Sequence, residues 1–121
     1  MSSYTQPNVK VFTSNSDFSA KQYHFAKLAS GTNIAQSGAA EKAIGVVMNK
    51  PAINNDAEVA ILGGGALVKL AATVAAGDSI ASDANGAGVL GASGEWCPAI
   101  AMEAGVAGDV ISTLLNGHQA I

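Results

Sequence analysis

Hydrophobic positions along this chain come in short runs, and polar, glycine-rich breaks separate them at intervals of about 8–12 residues. "YHFAKLA" from Tyr23 alternates imperfectly with a period of two, and "SGTNIAQSG" sets turn residues on both sides of Ile34. "KAIGVVMNK" is a β-branched run stopped by Asn49 and Pro51, and "AEVAILGGG" alternates Val59 with Ile61 before three glycines. "ALVKLAA", "DSIASD", "GAGVLGA", "EWCPAIAME" and "DVISTLLNG" follow in the same style. Alternation over a few residues, closed by Gly, Asn, Asp or Ser, predicts strands and tight turns. The fold class expected is mainly β: a small compact β-sandwich or barrel-like domain with an extended N-terminal arm and at most one or two short helices.

One stretch supports a competing reading. In "ALVKLAATVAAGDSI", Leu67, Leu70 and Val74 fall at helical spacing, and Ala and Leu favour helices. Against this, Gly65 and Gly77 bound the stretch closely, and it contains β-branched Val68, Thr73 and Val74. Strand–turn–strand is the preferred assignment. "AAGDSIAS" and "VAGDVIST" share the pattern A-G-D-x-I-x-S/T. Gly77 and Gly108 supply a positive φ, and Asp78 and Asp109 bond backbone within the turn. Asn85 and Gly86 form a further reversal.

The first 22 residues read differently. They are rich in Ser, Thr, Asn and Gln, Pro7 interrupts any helix, and Val9, Val11 and Phe12 form a short apolar knot. This predicts an arm over 1–22, with a turn or two of helix around Phe18–Gln22 capped by Ser16 or Asp17. Residues 23–116 form the β-rich domain and 117–121 a tail holding His118.

Composition narrows the function classes. Charged residues make up 12% of 121 positions, with net charge −3 and six lysines but no arginine. That charged share is roughly half the usual one, which favours a chain that covers part of its surface by association. Dispersed lysines without arginine argue against nucleic-acid binding. No run approaches about 20 apolar residues, and the opening lacks a secretory leader's pattern, so neither a membrane span nor export is expected. The single Cys97 makes no internal disulfide and fits a reducing cytoplasm.

Candidate chemistry is thin. Gly86, Gly88 and Gly91 match G-x-G-x-x-G, but a turn precedes them and Pro98 follows too soon for the helix that a dinucleotide site needs. Gly63–Gly65 lack the Lys-Ser/Thr ending of a phosphate loop. Cys97 with His24 or His118 would need an electropositive setting that this acidic segment does not offer. Asp78 and Asp83 supply too few oxygens for a calcium loop. No catalytic residue, cofactor site or metal site is expected, and Trp96 is an apolar anchor of either the core or an interface.

Taken in order, "AIGVVMNKP", "AEVAILGGGALVKLAATVAAGDSIASDANGAGV" and "AIAMEAGVAGDVISTLL" resemble the capsid decoration (cement) proteins of tailed bacteriophages. Gly65–Gly86 carry one phrase of that family and Ala101–Leu115 a second, within a likeness covering about residues 23–116. The resemblance implies a non-enzymatic protein on the outer capsid surface of the virion, made in the host bacterial cytoplasm. It implies the major capsid protein as partner, self-association as a homotrimer, and a clamp across neighbouring capsomers. An arm bearing Tyr4, Pro7, Val9, Val11 and Phe12 would then hold the shell by strand addition. The alternative is a ligand-binding β-module for carbohydrate or receptor adhesion, which six aromatic residues equip poorly.

Overall fold

Ten strands and their turns account for the fold, seen in a computed structural model that describes residues 8–120. β1 (Val9–Ser14), β2 (Phe25–Ser30), β3 (Asn33–Gln36), β4 (Ala43–Val47) and β5 (Asp56–Ile61) close into a barrel in the order β1-β3-β2-β4-β5. β6 (Gly65–Lys69), β7 (Ser79–Ser82), β8 (Gly88–Leu90), β9 (Trp96–Ala101) and β10 (Val110–Gln119) form a second sheet ordered β6-β10-β9-β7-β8. The β reading of the hydrophobic pattern holds, and the helical alternative for residues 65–77 gives way to β6 and a turn. No helix occurs among the described residues.

Two cores result. A five-stranded barrel is narrow enough for side chains to fill. Here Phe18, Ala26, Ile34, Val47, Ala57 and Val59 fill it, with Phe12 and Ile44 packed against them. The second core lies between barrel and sheet. The cross-strand row Phe25, Val46 and Ala60 lies on the barrel wall that faces the sheet. These three share a buried cluster with Val68, Leu70, Ile80, Ala99, Ile111 and Leu115 of the sheet. Alternation along each strand sends one set of residues inward and the next outward. Each barrel strand therefore divides its apolar residues between interior and seam.

The arm expected over 1–22 is corrected by this topology. Val9–Ser14 is a barrel strand, antiparallel to β5 and parallel to β3, and it closes the cylinder. Phe12 points inward opposite Ala57, while Val9 and Val11 remain exposed. The helix predicted at Phe18–Gln22 is a pair of turns. Asp17 accepts a bond from the Ser19 N–H at 2.9 Å, and Phe18 is wholly buried in the barrel. The reason is energetic: Phe18 gains more from filling the barrel than a five-residue helix could return. Tyr4 and Pro7 lie outside the described residues. The tail is corrected as well, because β10 continues to Gln119, opposite Trp96.

The repeated A-G-D phrase proves to be one device used twice. Ala75 N–H donates to Asp78 Oδ2 at 2.8 Å, and Val106 N–H donates to Asp109 Oδ2 at 2.9 Å. Gly77 and Gly108 take φ of +89° and +92°, a region that costs glycine nothing. The turns also hold each other. Val74 and Gly105 exchange both backbone bonds, at 2.9 and 3.1 Å. Gly77 N–H donates to Ala101 O and Gly108 N–H to Leu70 O, each at 2.8 Å. Ala101 N–H and Leu70 N–H return bonds to Asp78 O and Asp109 O. The two phrases thus map β6 onto β9 and β7 onto the start of β10. β6 pairs with β10 and β7 with β9, so β6 and β7 each take a partner from the other half, while β9 and β10 also pair with each other.

Candidate interaction surface

Three surface features can do chemistry or bind, and the sheet and barrel set their positions. The first is the outer face of the second sheet. Leu114 lies opposite Gly65 on one side and Ile100 on the other, and Ser112 lies between Leu67 and Met102. Leu67, Ile100 and Met102 are half-exposed and Leu114 is 38% exposed. The inner row of β10, by contrast, is Ile111, Thr113 and Leu115, all buried. Leu114 and its neighbours Leu67, Ile100 and Met102 thus give the outer face an apolar patch around Ser112, which solvent alone does not reward.

The second is a cleft of about 280 Å³ at the junction of barrel and sheet. Tyr23, Lys50, Lys69 and Val110 contribute to its walls. Tyr23 takes φ of +67°, uncommon for a bulky residue, and bonds from both layers impose it. Its N–H donates to Val47 O at 2.7 Å, and its carbonyl accepts from Lys69 N–H at 3.0 Å. Beside the cleft, the His24 imidazole is held below its usual range, chiefly by burial.

The third is an open depression near the end of β10. Ser79 Oγ lies 2.8 Å from His118 Nε2, and His118 Nδ1 lies 2.6 Å from Asn116 O. A carbonyl only accepts, so Nδ1 carries the proton and the Ser79 hydroxyl donates to Nε2. The pair ties the end of β10 to β7 across β9. A backbone carbonyl, not a carboxylate, orients the ring, and the adjacent Asp78 carboxylate is occupied by its turn. Cys97 is buried, and burial together with Glu95 pushes its thiol upward, which keeps it protonated. Among the described residues no cluster of three or more His, Cys, Asp or Glu side chains could hold a metal.

The remaining sequence-selected residues are structural. The G-x-G-x-x-G match is dispersed between the Asp83–Gly86 turn and β8. A Cβ on Gly88 would come within 2.9 Å of Val68, and one on Gly91 within 2.3 Å of the Cys97 sulfur. These glycines admit neighbouring side chains rather than phosphate. Asp83 Oδ1 accepts from Asn85 N–H and Ala87 N–H, which fixes the reversal at Asn85-Gly86. Trp96 is half-buried at the seam, its Nε1–H donating to Ala43 O of β4 at 3.3 Å with Lys42 5.1 Å from the ring centre.

No family model matches this sequence, and no curated protein matches it. The fold does have a counterpart in the crystal structure of the head fibre gp8.5 N base of bacteriophage phi29. The TM-score is 0.73, covering 92% of this chain and 95% of that one, at 12% identity. The fold resembles a phage head-fibre base. At that identity the likeness is one of architecture. It runs nearly end to end, so the barrel and second sheet both belong to the shared fold and neither is an appendage.

Proposed function

We propose that this chain is a non-enzymatic structural protein of a bacteriophage particle, seated on the outside of the head. The observation that carries the reading is the near end-to-end match to a phage head-fibre base. The resemblance of Gly65–Gly86 and Ala101–Leu115 to capsid decoration proteins points the same way from independent information. The role is mechanical: a small domain attached across neighbouring capsomers raises the cost of separating them. Assembly as a trimer would strengthen attachment, because linked copies gain effective concentration on the shell.

The shell contact in this reading falls to the outer face of the second sheet. Leu67, Ile100 and Leu114 offer the major capsid protein a flat apolar surface, and burying such a surface is favourable at about 25 cal/mol per Å². The arm once expected to make that contact is largely committed to the barrel. Dispersed lysines and the absence of arginine support a protein partner over nucleic acid.

Co-sedimentation with expanded phage heads tests the proposal. The wild-type protein should pellet with heads at saturating stoichiometry. Leu114→Glu, which places a charge on that exposed position, should remain folded and stay in the supernatant. Wild-type protein that never pellets with heads would refute the head assignment. Pelleting of Leu114→Glu at wild-type strength would refute the assigned face.

A further inference from the structure

Charge accounting singles out one side of the molecule. The chain has nine acidic side chains, and seven of them spend their carboxylates locally. Asp17, Asp78, Asp83, Glu95, Glu103 and Asp109 each accept a backbone N–H within a turn or from a neighbouring strand. Glu41 accepts from Gly38 N–H and pairs with Lys27 at 2.9 Å. Among the described residues the two left over are Asp56 and Glu58, both exposed on β5. They lie opposite Thr13 and Val11 of β1, and Val11 is 62% exposed. Two carboxylates and an exposed valine therefore form one ridge.

The lysines divide in the same way. Lys21 donates to Gln36, Lys27 pairs with Glu41, and Lys42 lies over Trp96. Alternation places Lys10 on the other side of β1 from Val11. Lys50 and Lys69 remain, both exposed, and both contribute to the cleft beside Val110. Among the described residues neither has an anionic partner. Asn49 sets ridge and cleft side by side: its Nδ2 donates to Asp56 O at 3.1 Å, and its Oδ1 accepts from Glu58 N–H at 3.0 Å. Lys50 follows directly. The bonds that pin strained Tyr23 fix the opposite wall, so the cleft is preformed.

We infer that this side binds a second copy of the chain, with the Asp56–Glu58–Val11 ridge of one copy seated in the Lys50–Lys69 cleft of the next. Val11 then meets Val110, and each carboxylate faces an ammonium. Ridge and cleft are distinct, complementary patches side by side on one molecule, so each copy brings both halves of the contact. This rests on the self-assembly part of the reading above and is independent of attachment to a head.

Sedimentation of the full chain tests it with four proteins: wild type, K50E/K69E, D56K/E58K, and the variant carrying all four substitutions. Wild type should self-associate. Each double variant sets like charges face to face and should weaken association by at least about tenfold. The quadruple variant restores opposite charges across the contact and should regain wild-type association. All four positions are exposed, and thermal unfolding checks that each variant folds. Unchanged association of the double variants overturns this contact while leaving self-assembly intact. So does a quadruple variant that stays weak. A wild-type protein that is monomeric at high micromolar concentration overturns both, and head binding is then judged by co-sedimentation alone.

Discussion

Cutting the chain after Phe18 distinguishes a barrel strand from a detachable arm. Deletion of residues 2–18 removes all of β1, which carries the closing bonds to β3 and β5, and with it Phe12 and Phe18. Phe18 is fully enclosed, and phenylalanine-to-alanine changes at such sites cost about 3–5 kcal/mol, transfer and cavity terms together. Total stability for a domain of this size is about 5–15 kcal/mol. Phe18→Ala alone should therefore consume a large share, lowering the melting temperature by about 10–20 °C. The deletion adds the lost ladder and two newly exposed strand edges, and should leave no cooperative fold. Urea unfolding followed by tryptophan fluorescence reads both, since Trp96 sits at the seam between barrel and sheet. A truncated protein with wild-type midpoint and slope would refute the barrel assignment of Val9–Ser14.

Two further outcomes follow from side chains already described. Asp78→Ala and Asp109→Ala each remove a turn-capping carboxylate, and each should cost about 1 kcal/mol in urea unfolding, with matching values because the two turns make matching bonds. Burial holds the His24 imidazole below its ordinary value of 6.5, so the unfolded chain takes up the proton first as the pH falls. The stability this supplies is fully present above about pH 6.5 and is lost below it; His24→Gln should flatten that part of the stability–pH curve, measured by thermal unfolding across pH 4–8.

Much of the fold was legible because each strand ends on residues with a mechanical reason to turn. Gly77-Asp78, Asn85-Gly86 and Gly108-Asp109 were readable as reversals, and all three are built on an aspartate that bonds backbone N–H groups. β1 was not legible as a barrel strand. Its exposed residues Val9 and Val11 are apolar, and the strand that completes its pairing, β3, is joined by long-range parallel contacts that no local pattern announces. Phe18 was invisible for a related reason: a single aromatic in a polar loop signals burial only once the cavity it fills is known. The end of β10, "NGHQ", is polar and runs past its last pairing with β6, at Leu114 and Gly65, so that it is flanked by β9 alone. The ridge did leave a trace. Asp56 and Glu58 stand in the alternating run "DAEVAI", away from glycine, whereas Asp78, Asp83 and Asp109 stand in turn contexts. That difference in setting separates carboxylates spent on turns from those left on the surface.

The interlock of Val74 with Gly105 also governs how the molecule comes apart. Because β6 and β7 each pair with a strand from the other half, the halves cannot part without breaking the β6–β10 and β7–β9 ladders and the Val74–Gly105 bonds. Breaking one turn loosens both, so the interlocked strands offer a protease no cheap partial opening, and the short edge strand β8 lies outside that interlock. Assembly must bring β6 to β10 and β9 back to β7, pairings between distant segments, which makes it slow. The internal symmetry thus acts as a latch: persistence is set by the height of a barrier as well as by the depth of a well.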